Sequence, residues 1–137
     1  APPFVRAGAQ TASPVHSAMN TRTRGQAGED RAARFLQAKG YRVLERNFSA
    51  PGGEIDLILS CGKTLVFAEV KTRSYEAFGG PLSAVTPAKQ KRIAQTAALY
   101  IKAKGLKFDS IRFDVVCVLP DRTEHVENAF SPERTTL

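Results

Sequence analysis

Two consecutive strand-like segments carry charged residues where a buried strand tolerates them least. The chain reads Gly53-Glu54-Ile55-Asp56-Leu57-Ile58-Leu59-Ser60, then a Cys61-Gly62-Lys63 turn, then Thr64-Leu65-Val66-Phe67-Ala68-Glu69-Val70-Lys71-Thr72. Strand side chains alternate between two faces. That alternation groups Ile55, Leu57 and Leu59 on one face and Glu54, Asp56 and Ile58 on the other. In the second segment Leu65, Phe67, Glu69 and Lys71 fall together, with Val66, Ala68 and Val70 opposite. Both faces are mostly apolar, the pattern of a central strand covered on each side. Burying an ion there costs on the order of several kcal/mol unless a partner compensates it. Asp56, Glu69 and Lys71 can all point at one spot, and a divalent cation is the usual compensation for clustered carboxylates.

The flanking segments supply the covering layers. From Gln26 to Lys39 the residues Glu29, Ala32, Ala33 and Leu36 recur at helical spacing, and Gly40 is a natural stop. Tyr41 to Phe48 reads as a strand and Pro51-Gly52-Gly53 as a turn. Arg73 to Pro81 is a loop holding a Gly79-Gly80 pair. A second helix opens with Thr86 as N-cap and Pro87 behind it, and closes at Gly105. Its inner face is Gln90, Ile93, Ala94, Ala97 and Ile101; Lys89, Lys91, Arg92, Lys102 and Lys104 are lateral or outward. Ile111 to Leu119 is a Val-rich strand, Asp121-Arg122 a turn, and Thr123 to Ala129 a short edge strand. The order is α-β-β-β-α-β, an α/β fold with a mixed central sheet flanked by helices.

At 137 residues the chain is long enough for one domain with a real core. Residues 1–24 are rich in Ala, Pro, Ser and Thr, with no acid before Glu29, and read as a disordered leader. They lack the apolar run of a secretory signal. Their Arg content faintly resembles a transit peptide, but appended sequence or a start upstream of Met19 fits better. The folded domain is placed at residues 25–130, with a flexible tail at 131–137. Apolar runs fall far short of a membrane span. Cys61 and Cys117 suggest neither a disulfide framework nor a zinc site, so a reduced cytoplasmic protein is expected. The net charge of +7 favours a polyanionic partner, nucleic acid above all.

Five blocks acquire a joint meaning. Gly25-Gln26-Ala27-Gly28-Glu29, Arg46-Asn47, Gly53-Glu54-Ile55-Asp56-Leu57-Ile58, Phe67-Ala68-Glu69-Val70-Lys71-Thr72-Arg73 and Arg112-Phe113-Asp114-Val115-Val116 together resemble the bacterial YraN-like family. That family resembles the PD-(D/E)XK nuclease superfamily and is related to archaeal Holliday-junction resolvases. The literal Pro-Asp is absent, because Ile55 precedes Asp56. The resemblance implies a restriction-endonuclease-like core and metal-dependent hydrolysis of phosphodiester bonds in structured or branched DNA. It implies that Glu29, Asp56, Glu69 and the Val70 carbonyl hold Mg²⁺ or Mn²⁺, and that Lys71 orients the attacking water or neutralises developing charge.

Other residues have two uses open. Glu54 is a solvated carboxylate, a neighbour of the metal site or a ligand. Gln90 orients Lys71 or a metal-bound water, or is a plain buried amide. Arg46, Arg73, Lys89, Lys91 and Arg92 line a phosphate-tracking surface or a solvated one. Tyr75 and Phe78 stack on an unpaired base or pin their loop to the core. Arg112 simply pairs with Asp114, and neither His16 nor His125 has a spacing that suggests catalysis. A homodimer addressing two strands of a junction is attractive on symmetry grounds. The rival functions are a nucleic-acid-binding protein without turnover and a protein-interaction module that keeps the fold.

Overall fold

The computed structural model describes residues 21–74 and 85–131. Helix α1 spans Thr21–Ala38, followed by strands β1 (Arg42–Ala50), β2 (Gly53–Cys61) and β3 (Thr64–Thr72). Helix α2 (Pro87–Lys104) leads to β4 (Ser110–Val118) and β5 (Thr123–Phe130). The α/β order expected from the sequence is therefore present. The first helix begins at Thr21 rather than near Gln26, so part of the segment read as a leader is helical. Tyr75, Phe78 and the Gly79-Gly80 pair lie outside the described residues.

The five strands form one sheet in the order β1-β2-β3-β4-β5. Neighbours are antiparallel except β3 and β4, which run parallel because α2 carries the chain back between them. Tight turns make the remaining connections. At the β2–β3 turn Gly62 has φ 61°, a left-handed conformation that a glycine adopts without strain.

Each helix covers one face of the sheet. Ala32, Ala33 and Leu36 of α1 pack on Leu57, Leu59, Val66, Ala68, Val116 and Val118. On the other face Ile93, Ala94, Ala97 and Tyr100 of α2 meet Ile55, Ile58, Leu65, Phe67, Phe113 and Val115. Phe67, Phe113 and Phe130 stack in series, with centroids 5.6 and 5.3 Å apart, and Tyr100 meets Phe67 edge-on. Thr96 and Tyr100 are thus buried beside the expected inner face of α2. No helix among the described residues is long and apolar enough to cross a membrane.

Helix α2 is positioned by its own ends. The Thr86 hydroxyl accepts the Lys89 N–H at 3.2 Å, and Pro87 follows at the first helical position. At the other end Gly105 adopts φ 63° and donates its N–H to the Ile101 carbonyl at 2.9 Å. The cap fixes where Lys89 and Gln90 enter the sheet region.

One expectation fails. Ile55 does not share a face with Leu57 and Leu59: it packs under α2 with Ile58, while Leu57 and Leu59 pack under α1. Strict alternation breaks between Ile55 and Leu57 because the ladder is interrupted there. The β1–β2 register runs Arg46↔Leu57 and then Phe48↔Ile55, passing over Asn47, which holds φ 52°. A left-handed residue inside a strand re-aims the side chains beyond it.

Candidate active site

A separate break, between β2 and β3, lies at the site. Pairing between β2 and β3 extends from Cys61↔Thr64 to Leu57↔Ala68 and goes no further. Beyond it β2 stays with β1 as far as Ala50↔Gly53, and β3 stays with β4 as far as Thr72↔Val118. The sheet forks, and Asp56 stands at the fork. Its Oδ2 accepts the Val70 N–H at 2.8 Å, a bond from side chain to strand where the ladder has ended. Val70 therefore meets the site through its N–H. Burial, then the charge of Glu69, with smaller contributions from Glu29 and Glu54, raise the Asp56 pKa to about 7.

Glu69 follows Phe67 along β3 and is 7% exposed. Two ammonium groups meet its Oε2: Lys71 Nζ at 3.2 Å and Lys89 Nζ at 2.7 Å. Burial and the neighbouring Lys89 push the Lys71 pKa down, against the pull of Glu69. For Lys89 burial is the largest single influence and acts in the same direction, but its bonds to Glu69 and Lys71 and the charges of Glu69 and Asp56 together outweigh it and the pKa rises. The pair shares one carboxylate unequally. Lys89 was expected to face outward toward phosphates; the first turn of α2 instead aims it at Glu69.

Glu29, from α1, reaches the fork from the other side. Asn47 Nδ2 donates to Glu29 Oε1 at 3.0 Å and to Glu54 Oε2 at 3.3 Å, so one amide ties α1 to β2. Arg46 bonds Asp30 at 2.6 Å and lies 4.0 Å from Glu29. Part of its charge is thus spent within the protein. A groove of about 510 Å³ opens here, lined by Gly25, Gln26, Glu29, Asn47, Ser49 and Glu54.

The other residues singled out from the sequence divide. Gln90 donates to the Val85 carbonyl at 3.1 Å, anchoring the entry to α2 rather than orienting Lys71. Lys91 and Arg92 are exposed on α2. Arg73, just past β3, bonds the Thr72 carbonyl at 3.0 Å.

The uncharacterised protein family UPF0102 matches residues 28–118, a span that contains the whole fork. This chain is 48% identical to a UPF0102 protein of Moorella thermoacetica over 79% of its own length and 90% of that protein's. It is 46% identical to one from Geobacter sulfurreducens, over 77% of this chain and 87% of the other. The chain belongs to the UPF0102 family. This is the YraN-like family that its motifs resemble. Among solved structures, it is similar to Hjc, a Holliday junction resolvase from Archaeoglobus fulgidus, at a TM-score of 0.42 and 17% identity, covering 75% of this chain and 76% of that one.

The donor set of this UPF0102 chain fits a hard divalent cation in its chemistry. Asp56, Glu69, Glu29 and Glu54 supply only oxygen donors, and the last three all push the Asp56 pKa upward by their charge. Carboxylates that repel one another in this way are relieved by a cation. As the side chains stand, no three His, Cys, Asp or Glu groups among the described residues are gathered tightly enough to hold one. Lys71, Lys89 and the Val70 N–H take up the negative charge instead.

Away from the fork, the same family member buries a second polar cluster. Asp114 is 1% exposed and accepts from Arg112 Nε and Nη2, from His125 Nε2 at 2.7 Å and from the Asn128 N–H at 3.0 Å. Lys39 Nζ donates to His125 Nδ1 at 2.7 Å, and Tyr41 Oη receives Arg112 Nη2. Every acceptor on the carboxylate is used, and the β4–β5 register shifts between Phe113 and Val115 beside it. The cluster fastens β5 to the sheet, so its role is structural. The Arg112–Asp114 pair was legible in the sequence; the part played by His125 was not.

Proposed function

We propose that this chain is a divalent-metal-dependent endonuclease that hydrolyses phosphodiester bonds of branched or otherwise structured DNA in the cytoplasm. The observation behind this is the fork between β2 and β3, where Asp56, Glu69 and Lys71 converge in partly buried surroundings although burial there penalises the charges of Asp56 and Lys71. Glu29, Asp56 and Glu69 would hold Mg²⁺ or Mn²⁺, which lowers the pKa of a bound water and polarises the phosphate.

The chain's own residues do the rest. Asp56 keeps its orientation through the Val70 N–H. Lys71 stands beside Glu69, where its ammonium can meet charge developing on the phosphate in the transition state. Asn47 sets the separation of Glu29 and Glu54. Lys91, Arg92 and Arg73 provide positive charge near the fork for backbone phosphates, which positions DNA without reading its sequence. Two copies would address two strands of a junction symmetrically.

The test is a panel of linear, flapped, forked and four-way DNA incubated with wild type and with Asp56→Asn, with and without Mn²⁺. Cleavage by wild type only, and only with metal, is expected, with branched substrates preferred. DNA binding without cleavage on any substrate would overturn the proposal in favour of a non-catalytic nucleic-acid-binding protein.

A further inference from the structure

A second cleft, of about 480 Å³, opens at the carboxyl ends of the parallel strands β3 and β4. Arg31, Thr72, Arg73 and Ser74 line it, over an apolar floor of Val118, Leu119 and Pro120. It contains two guanidinium groups, two hydroxyls and no carboxylate. The composition is that of an anion site.

The arginines of this chain are not equivalent. Arg46 meets Asp30 and Glu29, Arg112 meets Asp114 and Glu127, and Arg122 meets Asp121 and Glu124. Among the described residues Arg31 and Arg73 bond only to neutral oxygens: Arg31 Nη2 to Thr123 Oγ1 at 3.2 Å, and Arg73 Nη1 to the Thr72 carbonyl at 3.0 Å. A guanidinium carries five N–H donors in a planar fork. One bond to a neutral acceptor fixes its direction and leaves its charge unmatched. Arg34, Arg42 and Arg92 likewise meet no carboxylate among the described residues, but Arg31 and Arg73 line the same cleft.

The placement links that cleft to the fork. β3 carries Lys71, and Arg73 follows just past its end, two residues on. α1 carries Glu29 and then Arg31. The close seat of α1 on the end of β3 depends on Gly28, where an added Cβ would lie 2.1 Å from Thr72 Oγ1. The two elements that contribute Glu29 and Lys71 to the fork thus also lead into the arginine cleft.

We propose that the Arg31–Arg73 cleft is a phosphate subsite that seats a backbone phosphate of the DNA strand crossing the fork. This deepens the nuclease proposal and rests on it for the identity of the strand. Thr72 and Ser74 hydroxyls complete the donor set, and the fork geometry of arginine suits paired hydrogen bonds to phosphate oxygens.

The experiment measures binding of a four-way junction and a linear duplex by fluorescence anisotropy without divalent metal, between about 50 and 200 mM salt. It uses the full chain as wild type, Arg31→Gln, Arg73→Gln, the double variant and Arg31→Lys. Each glutamine variant is expected to weaken binding about tenfold and to lower the slope of log K against log salt by about 0.9 per lost contact. Arg31→Lys should keep the slope and lose part of the affinity. Melting temperature and Mn²⁺ titration should match wild type throughout. Unchanged affinity and slope in the double variant overturn the subsite, whether or not wild type cleaves DNA. If the arginine variants lose affinity but wild type cuts nothing, the subsite stands as a nucleic-acid contact and the nuclease proposal falls. Inorganic pyrophosphate serves as a further probe. If it raises the melting temperature of wild type but not of the double variant, while DNA affinity is the same in both, the ligand is a free phosphate compound and the DNA assignment is overturned.

Discussion

Lys89 Nζ lies 2.7 Å from Glu69 Oε2, closer than the 3.2 Å of Lys71 Nζ on the same oxygen. The residue two positions along the strand is thus the looser partner, and the closer one comes from the first turn of the following helix. A carboxylate that is 7% exposed holds two ammonium groups, and the N-cap at Thr86 fixes the second of them. Lys89 supplies at Glu69 the positive charge that a cation would supply.

Lys89→Met is therefore expected to raise Mn²⁺ affinity several-fold, because a competing positive charge leaves Glu69. The metal-free variant should be less stable by about 1 kcal/mol, the scale of one lost charge-assisted bond on a half-buried lysine. Calorimetric titration and melting curves check both. Unchanged Mn²⁺ affinity would mean that Lys89 does not occupy the cation's place.

Asp56 gives the metal-free protein a pH dependence of definite sign. Its folded pKa is about 7, against about 3.9 for an unfolded aspartate. The stability associated with this raised value is fully present below about pH 4 and is lost as pH rises through about 7. Asp56→Asn cannot ionise, and its side-chain oxygen can still accept the Val70 N–H. The variant should match wild type near pH 4 and exceed it near pH 8 by on the order of 2–4 kcal/mol. Urea denaturation at the two pH values in chelator tests this. A difference that does not grow with pH would show that Asp56 is charged without cost in the apo fold.

The order of elements was legible because it rests on local signals. Ala32, Ala33 and Leu36 at helical spacing, Thr86-Pro87 before a helix and Gly105 after it all act within a few residues. The antiparallel pairing of β2 with β3 was legible for the same reason, since a tight turn sets the register. The fork itself was not. No local signal marks where β2–β3 pairing stops, and alternation alone misassigned Ile55 near the left-handed Asn47, φ 52°. Lys89 was misplaced because helical periodicity gives the relative phase of side chains and not which of them the cap turns toward a neighbouring strand. His125 joins Asp114 from a different strand, and no spacing in the sequence announces that.

Asp114 should govern stability without touching the fork. Burial alone would raise its pKa, but bonds from His125, Arg112 and the Asn128 N–H overcome this and hold it below the usual value. The resulting stability is present above the unfolded aspartate pKa of about 3.9 and is lost as pH falls through the lower folded value. Asp114→Ala takes from Arg112 and His125 the carboxylate they share, leaving Arg112 with Tyr41 and the more exposed Glu127, and a loss of about 3–5 kcal/mol is expected. Urea denaturation at neutral pH measures it. Mn²⁺ titration of the folded variant should match wild type, and a change there would tie the cluster to the site.

Lys71→Ala separates catalysis from structure more cleanly than the sequence suggested. Were Lys71 the sole partner of Glu69, its removal would strand a buried carboxylate and destabilise the domain by about 3–5 kcal/mol. Lys89 remains 2.7 Å from Glu69, so the charge stays compensated and the melting temperature should fall by only a few degrees. Mn²⁺ binding should persist, because the oxygen donors of Asp56, Glu69 and Glu29 are all intact. Cleavage should drop at least a hundredfold, the scale of losing one group that meets transition-state charge, roughly 2.7–4 kcal/mol of barrier. Lys71→Ala combined with Lys89→Met should by contrast unfold or melt far earlier, since Glu69 then has no cation. If Lys71→Ala alone is as unstable as the double variant, Lys71 is chiefly a structural counter-ion and its place in the mechanism is lost.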